Sequence, residues 1–408
     1  MKKILKINES NKKERIMELL APAGNFEKLV TAVHFGADAV YFAGKMYGLR
    51  AFAGNFDDDE IVKAMQFLHE NGKKGYVTLN IVANDSDFEH IDDYLNLLIK
   101  AKVDGVIVSD VGVIYYLRKN FPSLNVHVST QANINNSYSA EFFADLGVTR
   151  LVLAREMNLE NIKKMHENIG DRLEIEAFVH GAMCISYSGR CLLSNYMTGR
   201  DSNRGACVQA CRWKYTIREE NKDEEFPIEE DERGTYILNS KDLCMIDHLD
   251  ELEKAGICSL KIEGRMKSDY YVASVVNAYR RAIDKTLDSD KLHDELEKTS
   301  HRRYTTGFYF NSDDKEYIES SMPIQTAQFI AKVVEEESEG FVKVEMRNRF
   351  MVGDILEVLS PDDNFLKTIK IEKIFASDGI EIQDAKRVQE VVTINCPYHL
   401  KKGDILRK

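Results

Sequence analysis

Eight short apolar runs, alternating with segments whose apolar residues recur at helical spacing, constrain this chain more than any other feature. The runs are Glu18–Ala21, Ala39–Ala43, Tyr76–Asn80, Gly105–Ser109, Asn125–Ser129, Arg150–Ala154, Leu173–Phe178 and Ser259–Ile262. Segments such as Phe26–Phe35, Ile61–His69, Ile91–Ala101 and Tyr271–Ile283 follow them with a period near 3.6 residues. Alternating strands and helices imply parallel pairing, because a crossover helix returns the chain to the same end of the sheet. Eight units predict an α/β fold, a (β/α)8 TIM-like barrel. An open doubly wound sheet is the alternative that a count of units leaves standing.

The alternation breaks twice. About eighty residues separate the seventh run from the eighth, which reads as a cysteine-bearing insertion over residues 180–240. From about Gln325 the pattern changes to short alternating strands, a small C-terminal all-β barrel-like domain. The expected organisation is an N-terminal extension (1–16), the barrel (17–287), a helical connector (288–324) and the β domain (325–408). Within the β domain, Val352-Gly353-Asp354-Ile355-Leu356 and Lys402-Gly403-Asp404-Ile405-Leu406 look alike, each a turn leading into a strand.

Composition narrows the function classes. The chain has 408 residues, 44% of them hydrophobic, and only 6 prolines, so it is built to fold. No apolar run approaches the roughly 18 residues that span a bilayer, and the basic start MKKILKINESNKKERI lacks the apolar stretch of a secretion signal. Seven cysteines, an odd number without such a signal, argue against a disulfide framework and for the cytoplasm. A net charge of −12 argues against diffuse wrapping by nucleic acid and leaves room for a local basic patch.

In a barrel of this type the reactive groups collect at the C-terminal ends of the strands. Reading past each run gives Asn25, Asn80, Ser109-Asp110, Ser129-Thr130-Gln131, Arg155-Glu156, His180 and Glu263-Gly264-Arg265. Some of these are simply helix caps, and Asn25, Asp110 and Asn135 are the right types for it. Arg155 and Arg265 are different, since a strand-end arginine calls for an anionic partner.

The insertion carries Cys184, Cys191, Cys207 and Cys211, spaced C-x6-C-x15-C-x3-C in a stretch rich in Gly, Ser, Arg and Asn. Structural free cysteines usually sit in apolar elements, whereas four thiolates in a loop can surround a metal. The spacings are wider than zinc knuckles, which favours an iron–sulfur cluster; zinc and unliganded thiols stay open. Cys244 is a reserve ligand, and Cys258 and Cys396 read as packing residues. Between Cys184 and Arg218 six basic residues, Arg190, Arg200, Arg204, Arg212, Lys214 and Arg218, face a single acid, Asp201, with Tyr196, Trp213 and Tyr215 interleaved. Such a patch suits a stacked base and its phosphates; equally, its cations would balance a negative cluster. Glu219–Arg233 then carries nine acids and two bases, a solvated stretch. The hydrolase motifs G-x-S-x-G and H-E-x-x-H and a glycine-rich phosphate loop do not occur.

Glu176-Ala-Phe-Val-His-Gly-Ala-Met-Cys184 followed by Ser188-Gly-Arg-Cys191-Leu-Leu-Ser194 resembles the signature of the collagenase-like peptidase family of unknown catalytic type. The likeness extends to Glu18–Asn25, Gly36–Tyr41, Asn239–Leu243 and Lys261–Arg265 and is greatest for the branch of prephenate-dependent tRNA uridine-5-hydroxylation proteins. That resemblance implies an oxygen-independent hydroxylase forming 5-hydroxyuridine at the wobble position, with a [4Fe–4S] cluster on Cys184, Cys191, Cys207 and Cys211. On this reading Arg50, Arg155 and Arg265 offer guanidinium forks to prephenate or a similar dicarboxylic acid. The basic segment, including Arg190 and Arg212, meets the tRNA anticodon loop, and His180 and Glu263 are the proton-transfer groups. The resemblance also leaves room for a paralogue partner. It carries a peptidase label without a nucleophile, so proteolysis is the alternative, and non-catalytic tRNA binding a third.

Overall fold

The computed structural model describes residues 17–48, 54–184, 186–187, 191–200, 202, 206–212, 230–231, 234–235, 241–310 and 324–408. The barrel strands are β1 (Glu18–Pro22), β2 (Ala39–Phe42), β3 (Lys74–Leu79), β4 (Gly105–Val108), β5 (Val126–Val128), β6 (Arg150–Val152), β7 (Glu174–Ala182) and β8 (Ile257–Ile262). Neighbours pair in parallel, and β8 pairs with both β7 (Leu260↔Ala177) and β1 (Leu260↔Leu19). That double pairing closes the barrel and excludes the open sheet. Helices α1 (Phe26–His34), α2 (Asp58–Glu70), α3 (Ile91–Lys100), α4 (Val111–Asn120), α5 (Ser137–Asp145), α6 (Leu159–Ile169), α7 (Leu249–Lys254) and α8 (Asp269–Ile283) pack outside it. Asn25 and Asp110 do cap helices, through bonds from Lys28 N (2.9 Å) and Val113 N (3.1 Å). Asn136, rather than the expected Asn135, caps α5. Among the described residues no helix is long and apolar enough to cross a membrane.

The lumen is divided. Leu20, Ala39, Tyr41, Tyr76 and Ile107 form an apolar cluster separate from the main core. The other side of the lumen is ionic. The Arg150 guanidinium donates to Glu18 (2.6 Å), Glu174 (2.7 Å) and Glu176 (3.0 Å), and Lys261 Nζ donates to Glu176 (2.7 Å). Ser259 and Tyr76 complete the lone pairs of Glu18, each at 2.8 Å. Burial opposes the charged form of both inner carboxylates. The Arg150 guanidinium beside Glu18, and Lys261 with Arg150 beside Glu176, nevertheless hold them below the ordinary carboxylate range. Burial, with Arg150 adding to it, keeps the neighbouring His127 neutral by pushing its pKa well down.

Strand β7 carries the feature that shapes the site. Its register against β8 runs Phe178↔Lys261 and then His180↔Ile262, so Val179 is an extra residue, a β-bulge. Side chains before and after a bulge of this kind face opposite sides. Phe178 faces the lumen, under the Arg155 guanidinium at 3.9 Å, and His180 faces outward. Beyond the bulge, β7 pairs antiparallel with Asp242–Cys244 (Ala182↔Asp242, His180↔Cys244), which takes Tyr304–Thr305 on its other edge. The insertion therefore leaves and returns at one stem. The Tyr279 hydroxyl of α8 ties that stem, donating to Val179 O (2.7 Å) and accepting from Met245 N (3.2 Å).

The C-terminal unit is an antiparallel sheet running from Phe329–Ser338 to Ile405–Arg407, with its own core around Ile330, Val344, Leu356, Ile369, Ile394 and Leu406. It is docked firmly. Leu359 and Ile405 join the barrel core, and buried Arg407 donates to buried Glu295 (2.6 Å) on the helix Ser289–Glu297. Nearer the mouth, Lys332 and Arg347 reach Glu27 of α1 at 3.0 and 2.8 Å, with Asp269 of α8 beside them, 3.8 Å from Lys332.

Two expectations follow. Arg150→Met should lower unfolding stability by about 3–5 kcal/mol, because it leaves Glu18 without its close cation and buried Glu176 with Lys261 alone; a urea midpoint within error of the parent would show the network to be inert. Burial, together with the neighbouring Glu27, raises Asp269 to about 6, above its unfolded value of roughly 3.9. The folded state thus binds the extra proton, and stability from this group is lost as pH rises through about 6. Asp269→Asn should be more stable than the parent at pH 8, by at most about 3 kcal/mol, with no difference below about pH 4. Thermal melts across that range check the sign, and a variant less stable at pH 8 would contradict it.

Candidate active site at the barrel mouth

Alternation along each strand decides what reaches the mouth. On β3 the inward series is Tyr76, Thr78, then Asn80 just past its end; on β8 it is Ser259, Lys261, then Glu263. Arg265 is buried, its Nη2 donating to Asn55 Oδ1 (2.7 Å) and its Nη1 to Thr78 Oγ1 (3.5 Å). The loop after β1 lies so close to the loop after β8 that a Cβ on Gly24 would sit 2.4 Å from the Arg265 carbonyl oxygen. Only glycine fits there.

Arg155, just past β6, joins three elements. Its Nη1 donates to Ala182 O at the insertion stem (2.8 Å), its Nη2 donates to Glu263 (3.2 Å), and its plane lies on the Phe178 ring. Its Nε is buried without a hydrogen-bond partner among the described residues. Tyr271 donates to Glu263 O (2.8 Å) and fixes that backbone. A Cβ on Gly181 would meet the same carbonyl at 2.7 Å, at a φ of +105°. On the opposite rim, Asn80 Nδ2 donates to Gln131 Oε1 (2.9 Å) and Ser109 Oγ donates to Asn80 O (2.8 Å). The mouth therefore brings together two guanidinium groups, one carboxylate and an amide pair.

His180 does not join them. The bulge turns it behind the wall, where it is 1% exposed and lies against the rings of Tyr271, Tyr279 and Tyr304. Burial lowers its pKa to about 3, so it stands there as a neutral imidazole, with Nδ1 3.4 Å from the Tyr279 hydroxyl. The expected proton transfer at the mouth by His180 is not supported by this placement, and Glu263 is the carboxylate that reaches it. Arg50 and Arg190 lie outside the described residues, and Arg212 is described only in its backbone.

None of the four insertion cysteines is in a disulfide; Cys184 and Cys207 are exposed, Cys191 and Cys211 partly so. Ser194 organises their neighbourhood, accepting from Val208 N (3.2 Å) and donating to Arg200 O (2.8 Å), while Ser202 Oγ donates to Cys191 O (2.6 Å). Gln209, at a φ of 57°, donates its backbone N–H to Cys207 Sγ (3.4 Å). In kind, this donor set fits an iron–sulfur cluster. In placement it is not closed, since no three His, Cys, Asp or Glu side chains among the described residues are gathered to hold one metal ion. Cys244 is unsuited as a substitute ligand: it is buried behind β7, its thiol pushed up to about 12 by that burial.

The lumen ion network and the Asn55 contact to Arg265 escaped the sequence reading. The signal for the former was present, as charges at alternate positions of strands that bury both faces.

Comparison with known proteins places the chain. It is 39% identical over 96% of its length, and 94% of the relative's, to "tRNA hydroxylation protein P1" of Bacillus subtilis. It is 37% identical to "23S rRNA 5-hydroxycytidine C2501 synthase" of Escherichia coli, over 74% of this chain and 44% of that one. It is 35% identical to "Collagenase" of Porphyromonas gingivalis, over 72% of this chain and 73% of that one. Residues 24–319 match peptidase family U32 and residues 325–407 match the C-terminal domain of peptidase family U32, so the chain belongs to that family.

Proposed function

We propose that this protein is an RNA-modifying enzyme that hydroxylates C5 of the wobble uridine in tRNA, with prephenate or a similar dicarboxylic acid as co-substrate and without oxygen. The observation that carries the reading is the mouth itself. Arg155 and Arg265, Glu263 and the Asn80–Gln131 pair converge there, beside the stem of the cysteine-bearing insertion, in a chain related throughout its length to a protein named for tRNA hydroxylation. A second relative, named for 5-hydroxycytidine synthesis in rRNA, supports C5 of a pyrimidine as the reacting atom.

In this reading Arg265 and Arg155 receive the two carboxylates, each fork pre-set by its present partners. Glu263, released from Arg155 by the incoming acid, holds or takes a proton at the mouth. The basic and aromatic insertion receives the anticodon loop, with the uridine unstacked into the mouth. Cys184, Cys191, Cys207 and Cys211 would hold a [4Fe–4S] cluster, which supplies redox or Lewis-acid chemistry when bound. The reading places the reaction in the cytoplasm and allows a paralogue to share it. Peptide hydrolysis, suggested by the collagenase relative, needs a nucleophile with a positioned base. His180, four residues before Cys184 of the insertion, is turned away behind β7.

Anaerobic purification with iron and sulfide analysis should find bound iron that falls by at least about half in Cys184→Ser or Cys191→Ser and is unchanged in Cys258→Ser. Nucleoside mass spectrometry of tRNA should show 5-hydroxyuridine derivatives lost with the gene and restored by the parent. Their persistence in a strain lacking all relatives would end the reading. Arg265→Lys should raise the KM for the dicarboxylic acid by about 10- to 100-fold, the worth of one charge-assisted bond; an unchanged KM would remove that arginine from the site.

A further inference from the structure

The amide pair on the mouth rim has a geometry that the assignments above leave unused. Asn80 follows β3 and Gln131 follows β5, so β4 lies between them. In a barrel the inward side chains of alternate strands share a layer, so residues two strands apart can meet across the lumen side of the middle strand. The inward series Tyr76, Thr78, Asn80 places that meeting on the lumen side. Asn80 is steadied from below, its carbonyl oxygen accepting from Ser109 Oγ (2.8 Å). Its Nδ2 donates to Gln131 Oε1 (2.9 Å), so the acceptor end of Gln131 is occupied. Gln131 Nε2 has no partner among the described residues, and Gln131 is only half-buried. The result is a neutral N–H donor, held in one orientation at the opening of a lumen.

Such a donor distinguishes the two pyrimidines. Uracil presents a carbonyl oxygen at C4 and accepts from it; cytosine presents an amino group and sets donor against donor. A site that hydrogen-bonds one of two analogues rejects the other because its own polar group is left unpaired. We infer that Gln131, oriented by Asn80, selects uracil over cytosine at the mouth by donating from Nε2 to the 4-carbonyl oxygen. This rests on the reading of the protein as an RNA pyrimidine hydroxylase, and deepens it by naming the residue that reads the base.

The test is a binding measurement on the full-length, anaerobically purified protein. Two anticodon stem–loops, identical except for U or C at the wobble position, are titrated and followed by fluorescence anisotropy. The parent should bind the U form about ten-fold more tightly. Gln131→Leu should bring the two within about two-fold. Gln131→Glu, which offers an acceptor in place of the donor, should reverse the preference toward C. Asn80→Asp reaches the same reversal by another route, because its carboxylate would take Nε2 and turn Oε1 to the lumen; it keeps the test open should Gln131→Glu misfold. A parent that binds both forms alike, or variants that keep the parent's preference for U, would overturn the assignment of Gln131 and leave the RNA reading standing. A parent that binds neither form would overturn both.

Discussion

A guanidinium inside the barrel holds the rest of the architecture in place. Arg150 contacts carboxylates from β1 and β7, and through Glu176 its charge is linked to Lys261 of β8. These strands include the closing seam of the barrel, where β8 must pair with β7 and β1 at once. A buried ion pair is a poor source of stability, since desolvation offsets most of its attraction. It is an effective source of register. A shift of one residue in β1, β7 or β8 would turn Glu18, Glu176 or Lys261 out of the lumen and leave its buried partner short of a counter-charge. Leu20 and Ile107, in the apolar part of the lumen, have no charge to leave unpaired. The ionic side therefore sets how the strands align, and that alignment sets which side chains crown the mouth.

The bulge at Val179 is the second constraint, and it acts on the same strand. Up to Phe178, β7 contributes to the lumen; beyond it the strand faces the other way and pairs with Asp242–Cys244. One extra residue thus removes His180 from the mouth and ties the two ends of a long insertion together. Arg155 then fastens that stem to β8 through Ala182 O and Glu263. Ala182 lies two residues before Cys184, so Arg155 ties the stem of the cysteine-bearing insertion to Glu263 at the mouth.

Much of this was legible in the residues. The eight runs gave the barrel, because a (β/α) unit needs only a period of two followed by a period of 3.6, and those are local properties. The charges in Arg150-Leu-Val-Leu, Glu174-Ile-Glu and Ser259-Leu-Lys are equally local, but their pairing across the lumen joins distant strands and was not read from the motifs. His180 was misplaced for the opposite reason: a bulge depends on how two distant strands align, and Gly181 is its only local trace. The docking of Arg407 onto Glu295 joins residues 112 positions apart and has no local signature at all. Cysteine spacing identified the group Cys184, Cys191, Cys207 and Cys211 as a donor set, but spacing along a chain does not fix distance across an insertion.

Charge sets a final requirement on the proposed reaction. A chain of net charge −12 cannot hold RNA by a broad field, so phosphate contacts must be few and confined to the basic segment after Cys184. Affinity then has to come from groups that do not depend on charge. The described part of the insertion presents Tyr196 at 89% exposure, with Leu192 and Tyr187 also exposed, and base–aromatic stacking contributes about 1–3 kcal/mol per base. Stacking tolerates any base and charge tolerates any phosphate, so neither supplies specificity. For an enzyme that must act on one nucleotide of a loop, the discrimination falls to the polar groups at the mouth, where an unmatched donor is costly. On the proposed reaction, adhesion therefore falls to the insertion and selection to the mouth.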